Sequence, residues 1–155
     1  MPLISQINVY NRKAQNALAV RLRTPFQDLP RHIGESYGAI MGYLMESGLA
    51  PADIPYVAYY NQDMNDLDVE IGFPIADKLP EKGGIKCVTI PEGKYASGMY
   101  LGAYSDMEPA YGRMHDWVTQ NGFEPAGAAY EFYYNGPGDV EDEQMLLTKI
   151  EFILK

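Results

Sequence analysis

Hydrophobic and polar positions along the chain fall into two periods. Ile33, Tyr37, Ile40, Met41, Leu44 and Met45 recur at helical spacing, and Gly48 is placed as a C-terminal stop. Met107, Ala110, Tyr111, Met114, Trp117 and Val118 repeat the pattern, stopped by Asn121-Gly122. Ser105 to Glu108 has capping-box spacing, and Pro109 falls in the first helical turn, where it is tolerated. After each helix comes a β-prone run, 56–60 and 130–134, then a polar loop and a second alternating run, 68–75 and 147–154. Two further strands are expected ahead of each helix, 4–10 with 18–23 and 85–90 with 95–101. The pattern therefore predicts strand, strand, helix, strand, strand, twice over.

The two copies are related in sequence. A shift of 74 positions sets Tyr37-Gly38 on Tyr111-Gly112, Gly48 on Gly122 and Pro51-Ala52 on Pro125-Ala126. It also sets Tyr56 on Tyr130 and Tyr59-Tyr60-Asn61 on Tyr133-Tyr134-Asn135, giving nine identities in a 25-residue window. Five extra residues in the second loop then align Val69-Glu70-Ile71-Gly72-Phe73 with Thr148-Lys149-Ile150-Glu151-Phe152. The expected fold is α+β, a single domain over 1–155 with pseudo-repeats at about 1–80 and 81–155. Two helices cannot cover both faces of an antiparallel sheet of about eight strands, so both are expected on one face, with a ligand cleft on the other.

Period two sorts the strand residues between those faces. Val69, Ile71 and Phe73, with Thr148, Ile150 and Phe152, form the expected core face, leaving Asp68, Glu70, Lys149 and Glu151 on the other. In the run 130–134, Phe132 is the expected helix-facing residue, so Glu131 and Tyr133 are expected on the open face, as are their equivalents Val57 and Tyr59. A carboxylate among four aromatic residues in mid-strand points to a partly desolvated acid on the floor of a tyrosine-lined pocket.

Composition sharpens this picture. The 12 Lys+Arg against 21 Asp+Glu leave a net charge of −9, which argues against direct nucleic-acid binding. The 13 tyrosines, against one tryptophan and five phenylalanines, suggest a wet aromatic surface. One cysteine, Cys87, excludes an intrachain disulfide and a cysteine-based cluster. His32 and His115 have no partners at metal-ligand spacing, and 63–68 lacks the fifth-position ligand and glycine of a calcium loop, so no metal or cofactor is expected. Neither a signal peptide nor a membrane span is visible, and a cytoplasmic location is expected. No helix-turn-helix fits within the sequence, so any role in transcription is expected to run through a partner.

The duplicated unit, the segment 102–107 leading to Ala110-Tyr111, the segment 130–135 and the segment 68–74 together resemble the GyrI-like small-molecule-binding domain. That family includes effector-binding domains of multidrug-responsive transcription activators and many stand-alone proteins. The resemblance runs from about Leu18 to the C-terminus and implies a duplicated α+β fold with a pocket between its halves. It also implies that Glu131 stands where multidrug-binding members carry a buried glutamate that contacts cationic aromatic ligands. Lys149 stands where the family often has an acidic residue and Glu151 where it often has an aromatic one. If Lys149 reaches Glu131, the pocket is less selective for cations.

Three functions use these residues. The first is binding of lipophilic, cationic aromatic compounds by Glu131, Tyr133, Tyr59, Val57, Tyr100, Glu70, Lys149 and Glu151, as a sensor, sequestering or effector-binding domain. The second, implied by stand-alone relatives, is cofactor-independent hydrolysis of electrophilic cyclopropanoid compounds. There Glu131 activates water, with the hydroxyl of Tyr133 or Tyr100 as proton donor. The third is protein interaction of the DNA gyrase inhibitor type, with a transcription factor or gyrase as partner.

Overall fold

A computed structural model of the chain describes residues 6–155. Its elements are β1 (Asn8–Arg12), β2 (Gln15–Thr24), α1 (Leu29–Glu46), β3 (Tyr56–Tyr59), β4 (Leu67–Pro74), β5 (Lys86–Ile90), β6 (Gly93–Leu101), α2 (Glu108–Gln120), β7 (Pro125–Tyr133) and β8 (Leu147–Leu154). The fold is α+β and antiparallel, in the expected element order. The expected strand 4–10 moves to Asn8–Arg12, and Ile4 and Ser5 lie outside the described residues. Strand β7 starts at Pro125 rather than near 130, through a register irregularity between Pro125 and Ala129. Among the described residues no helix is long and apolar enough to cross a membrane.

Contacts divide the chain into two units. The first unit, Lys13–Glu92, orders its strands β5-β2-β4-β3 and carries α1. The second unit takes the chain through Arg12 together with Gly93–Lys155, orders its strands β1-β6-β8-β7 and carries α2. The first strand of each sequence copy pairs with the second strand of the other copy, β1 with β6 and β5 with β2.

Each helix lays its apolar stripe on one face of its own strands. In the first unit Ile40 and Leu44 pack with Leu18, Phe73, Ile75 and Ile85. In the second, Met107, Ala110, Met114 and Val118 pack with Ala96, Tyr100, Ile150, Phe152 and Leu154. The identical tyrosines of the repeat make the same contact, Tyr37 with Phe73 at 5.0 Å and Tyr111 with Phe152 at 5.7 Å between ring centroids. Gly48 and Gly122 end the helices at φ 70° and 80°, and the amides of Leu49 and Phe123 turn back to the carbonyls of Leu44 and Val118. The repeated asparagines have a common task. Asn61 accepts from the Asp68 amide and donates to the Asp66 carbonyl, while Asn135 accepts from the Leu147 amide and donates to the Met145 carbonyl.

The expected capping box does not form. A 3-10 turn over Tyr104–Asp106 leads into α2, which starts at Glu108 without a side-chain cap. The Met107 carbonyl receives the amides of Ala110 and Tyr111, and Pro109 has no amide to satisfy.

Gly72 shows how tightly β4 is packed. A Cβ there would lie 2.5 Å from the Leu18 carbonyl oxygen and 3.0 Å from the Tyr56 hydroxyl. Gly72→Ala is expected to destabilise by about 1–3 kcal/mol. Gly34, exposed on α1 with nothing near its Cβ direction, should gain about 0.5–1 kcal/mol as alanine. Urea denaturation of the two variants, giving shifts of opposite sign, checks the pair.

Candidate functional site

In β7, Glu131 stands opposite Ile150 of β8, and Ile150 packs on α2. Parity along the strands puts Glu131 and Tyr133 on the helix-covered face and turns Phe132, opposite Lys149, to the other face. The sequence-based assignment of this strand is thus reversed. The reason is that the carboxylate finds its partners on the helix side. One oxygen of Glu131 accepts the Tyr133 hydroxyl at 2.7 Å, and the other accepts the Tyr111 hydroxyl from α2. Buried acids are tolerated where their lone pairs are satisfied, and two phenols do this for Glu131, which is 8% exposed. Tyr104, on the turn ahead of α2, sets its ring edge-to-face against Tyr133 at 5.7 Å.

No ion pair joins Glu131 to a Lys, Arg or His among the described residues. Burial pushes its carboxyl above the ordinary glutamate range, and the two phenol hydrogen bonds offset this only in part. Lys149 does not neutralise it. That ammonium lies on the opposite face, 3.7 Å from Glu151 and 4.9 Å from the Phe132 ring centroid.

Glu151 belongs to a separate cluster. Fully buried, it takes Arg12 of β1 at 2.6 Å and the Tyr10 hydroxyl at 2.5 Å. The Arg12 guanidinium also lies 5.2 Å from the Tyr95 ring and 5.0 Å from the Phe132 ring. Burial and the Glu151 carboxylate together push the Tyr10 hydroxyl well above its ordinary value, so it remains a donor. This cluster holds β1 on the second unit.

The remaining candidates are spread over other surroundings. In the first unit Val57 and Tyr59 stand opposite Ile71 and Val69, also on the helix-covered face rather than the open one. Val57 offers no acceptor, so the hydroxyl of Tyr37 goes instead to the Tyr56 carbonyl at 3.2 Å. Glu70 lies on the opposite face, where it accepts the Tyr56 hydroxyl at 2.8 Å and the Tyr60 hydroxyl at 3.4 Å. Tyr100 is buried beneath Gly102 and donates its hydroxyl to the Ala103 carbonyl at 2.6 Å. An open cleft of about 470 Å³ in the first unit, lined by Gly38, Gly42, Tyr43 and Lys82 among others, has no buried carboxylate in its lining.

Sequence reasoning missed Tyr111, Tyr104, Arg12 and Tyr10 as participants. For Tyr111 a signal existed: it is identical between the copies, while the strand position it faces changes from Val57 to Glu131. Arg12 and Tyr10 carried no such signal, since they reach Glu151 across more than a hundred residues of chain.

Two stability experiments follow from these environments. A carboxyl with a raised folded-state pKa favours the folded chain when protonated. That contribution is complete below the ordinary value of 4.5 and is lost as pH rises through the raised one. Glu131→Gln never ionises, so it should melt higher than the parent at neutral and alkaline pH, with the gap closing in acid. A gap independent of pH would contradict this. Arg12→Ala leaves the fully buried Glu151 short of its nearest cation, and denaturation should show a loss of about 3 kcal/mol or more.

Comparison with known proteins agrees with this architecture. The chain is similar to EcmrR in a complex with DNA (TM-score 0.84, 20% identity, 97% of this chain), of which it spans 57%. It is also similar to the EcmrR C-terminal domain alone (TM-score 0.80, 19% identity, 99% of both chains). A hydrolase from Listeria innocua shares the fold (TM-score 0.72, 14% identity, 97% of this chain and 92% of that one). So does SAV2435 bound to tetraphenylphosphonium (TM-score 0.64, 11% identity, 97% and 98%). Among curated proteins none matches the chain in sequence. The family model for the GyrI-like small molecule binding domain matches residues 5–155, and with it the chain belongs to the GyrI-like small-molecule-binding family.

Proposed function

We propose that this protein binds lipophilic aromatic cations at Glu131 and acts as a sensor, sequestering or effector-binding domain. The observation that carries the reading is a buried carboxylate held only by phenols, with no basic side chain in ion-pair contact among the described residues. A cation placed about 4 Å from such a carboxylate gains on the order of 4 kcal/mol at an effective dielectric of 20, against about 1 kcal/mol in water. Surrounding ring faces add about 0.5–2 kcal/mol each for a delocalised cation. The phosphonium in the SAV2435 structure is a lipophilic cation on the same fold, which supports the ligand class.

A second reading uses the same carboxylate. An acid with a raised pKa, and a phenol 2.7 Å from it, are suited to activating water and delivering a proton. Neighbours described as hydrolases share the fold. On this reading Glu131 is the base and Tyr133 the proton donor toward an electrophilic cyclopropanoid compound.

Equilibrium titration with ethidium and with anionic fluorescein separates these readings from a site without charge selectivity. Ethidium should bind and fluorescein should not. Glu131→Gln should weaken ethidium at least about tenfold. Ethidium affinity should rise with pH in the parent, as Glu131 ionises, and stay flat in the variant. Unchanged affinity in Glu131→Gln removes the residue from the site. Mass analysis after incubation with a cyclopropanoid electrophile tests turnover, which should disappear in the same variant.

A further inference from the structure

Four rings gather near Glu131 in the second unit: Tyr104, Tyr111, Tyr133 and Phe152. Tyr111 and Tyr133 point their hydroxyls at the carboxylate, and Phe152 is 8% exposed beneath Tyr111. Tyr104 is different. The residue is 36% exposed, and its hydroxyl makes no hydrogen bond among the described residues. Burial, followed by the charges of Glu131 and Asp139, keeps that hydroxyl protonated, so the ring is a neutral phenol beside an acid.

The turn that carries Tyr104 is held firmly. Gly102 has φ 152°, and a Cβ there would lie 2.8 Å from the Tyr100 hydroxyl. The Gly102 amide donates to the Leu146 carbonyl at 2.9 Å, and the Tyr100 hydroxyl donates to the Ala103 carbonyl at 2.6 Å. The first unit also begins its 3-10 turn on an exposed ring, Phe26, which is 49% exposed. There the strand position corresponding to Glu131 is Val57. The first unit has an exposed ring beside a buried acid at another place, Tyr60 by Glu70, but that ring donates its hydroxyl to the acid at 3.4 Å and lies under the Arg21 guanidinium at 3.7 Å.

Resting on the Glu131 reading, we propose that Tyr104 is the ligand-facing ring of that site and sets its preference for flat over tetrahedral aromatic cations. Tyr100 is the positioning residue that holds the turn beneath it. A flat delocalised cation presents a continuous face to a single ring and gains stacking and cation–π attraction together. A tetrahedral phosphonium keeps its charge behind four phenyl groups and meets the same ring by edges.

The test is a ratio of affinities for ethidium, which is flat, and tetraphenylphosphonium, which is tetrahedral. Tyr104→Ala should weaken ethidium by about 3- to 30-fold and tetraphenylphosphonium by less than about threefold. Tyr104→Phe, which keeps the face, should retain both affinities. Tyr100→Phe, which loses the bond to Ala103, should move the ratio in the same direction by a smaller factor. Thermal melts verify folding, and Tyr104→Leu replaces the alanine variant if that one fails to fold. Equal losses for the two cations in Tyr104→Ala, or no loss, overturn the inference while Glu131→Gln still weakens both. If Glu131→Gln weakens neither cation, the Glu131 reading fails and this inference fails with it.

Discussion

The register of β7 on β8 decides the chemistry of the second unit. Glu131 pairs with Ile150 and Phe132 with Lys149, so the acid and the nearest lysine in the adjoining strand are on opposite sides of the same two-strand ribbon. A slip of one residue would place Glu131 beside Lys149 and bury Phe132 against the helix. That alternative would satisfy hydrophobic patterning better and would neutralise the acid. The observed register instead keeps Glu131 among phenols, where its charge is costly for the folded chain. Burial of an acid with phenol donors but no ion-pair partner among the described residues raises its pKa.

The two similar halves of the sequence place different chemistry at corresponding positions. The helix tyrosines Tyr37 and Tyr111 rest on equivalent phenylalanines, yet their hydroxyls take different partners because Val57 in one copy is Glu131 in the other. The opposite face is altered in a complementary way. In the first unit Gly72 leaves room for the Tyr56 hydroxyl to reach Glu70. In the second, Glu151 occupies the position equivalent to Gly72 and is held by Arg12 and Tyr10 from β1. Each unit thus has a buried acid whose bonds come from phenols alone, Glu70 in one and Glu131 in the other, but on opposite faces. Among the described residues only the second unit adds a buried acid–guanidinium pair, and that pair ties the chain's first described strand to it.

Much of the fold was legible from residue pattern. The helices, the glycine stops and the run 147–154 appear where periodicity places them. The repeat arithmetic also identified the Tyr-Tyr-Asn segments, whose asparagines brace both loops in the same way. Strand β1 was harder to place, because its partner β6 is far away in sequence and local pattern says little about an edge strand. The capping box failed for a local reason: a 3-10 turn occupies Tyr104–Asp106, so α2 starts at Glu108 and the Met107 carbonyl receives the amides of Ala110 and Tyr111.

The amino-acid sequence by itself determined the element order, the matching residues of the two halves and the singular position of Glu131, because periodicity and residue identity can be read along the chain without its fold. Only the tertiary structure decided which face Glu131 occupies, that Tyr111 and not Lys149 is its partner, and that Tyr104 packs edge-to-face on Tyr133. Alternation states that adjacent side chains point opposite ways. It does not state which parity meets the helix when both parities carry aromatic rings. That choice depends on whether a buried carboxylate finds hydrogen-bond donors, and here one of the two donors comes from a helix twenty residues away.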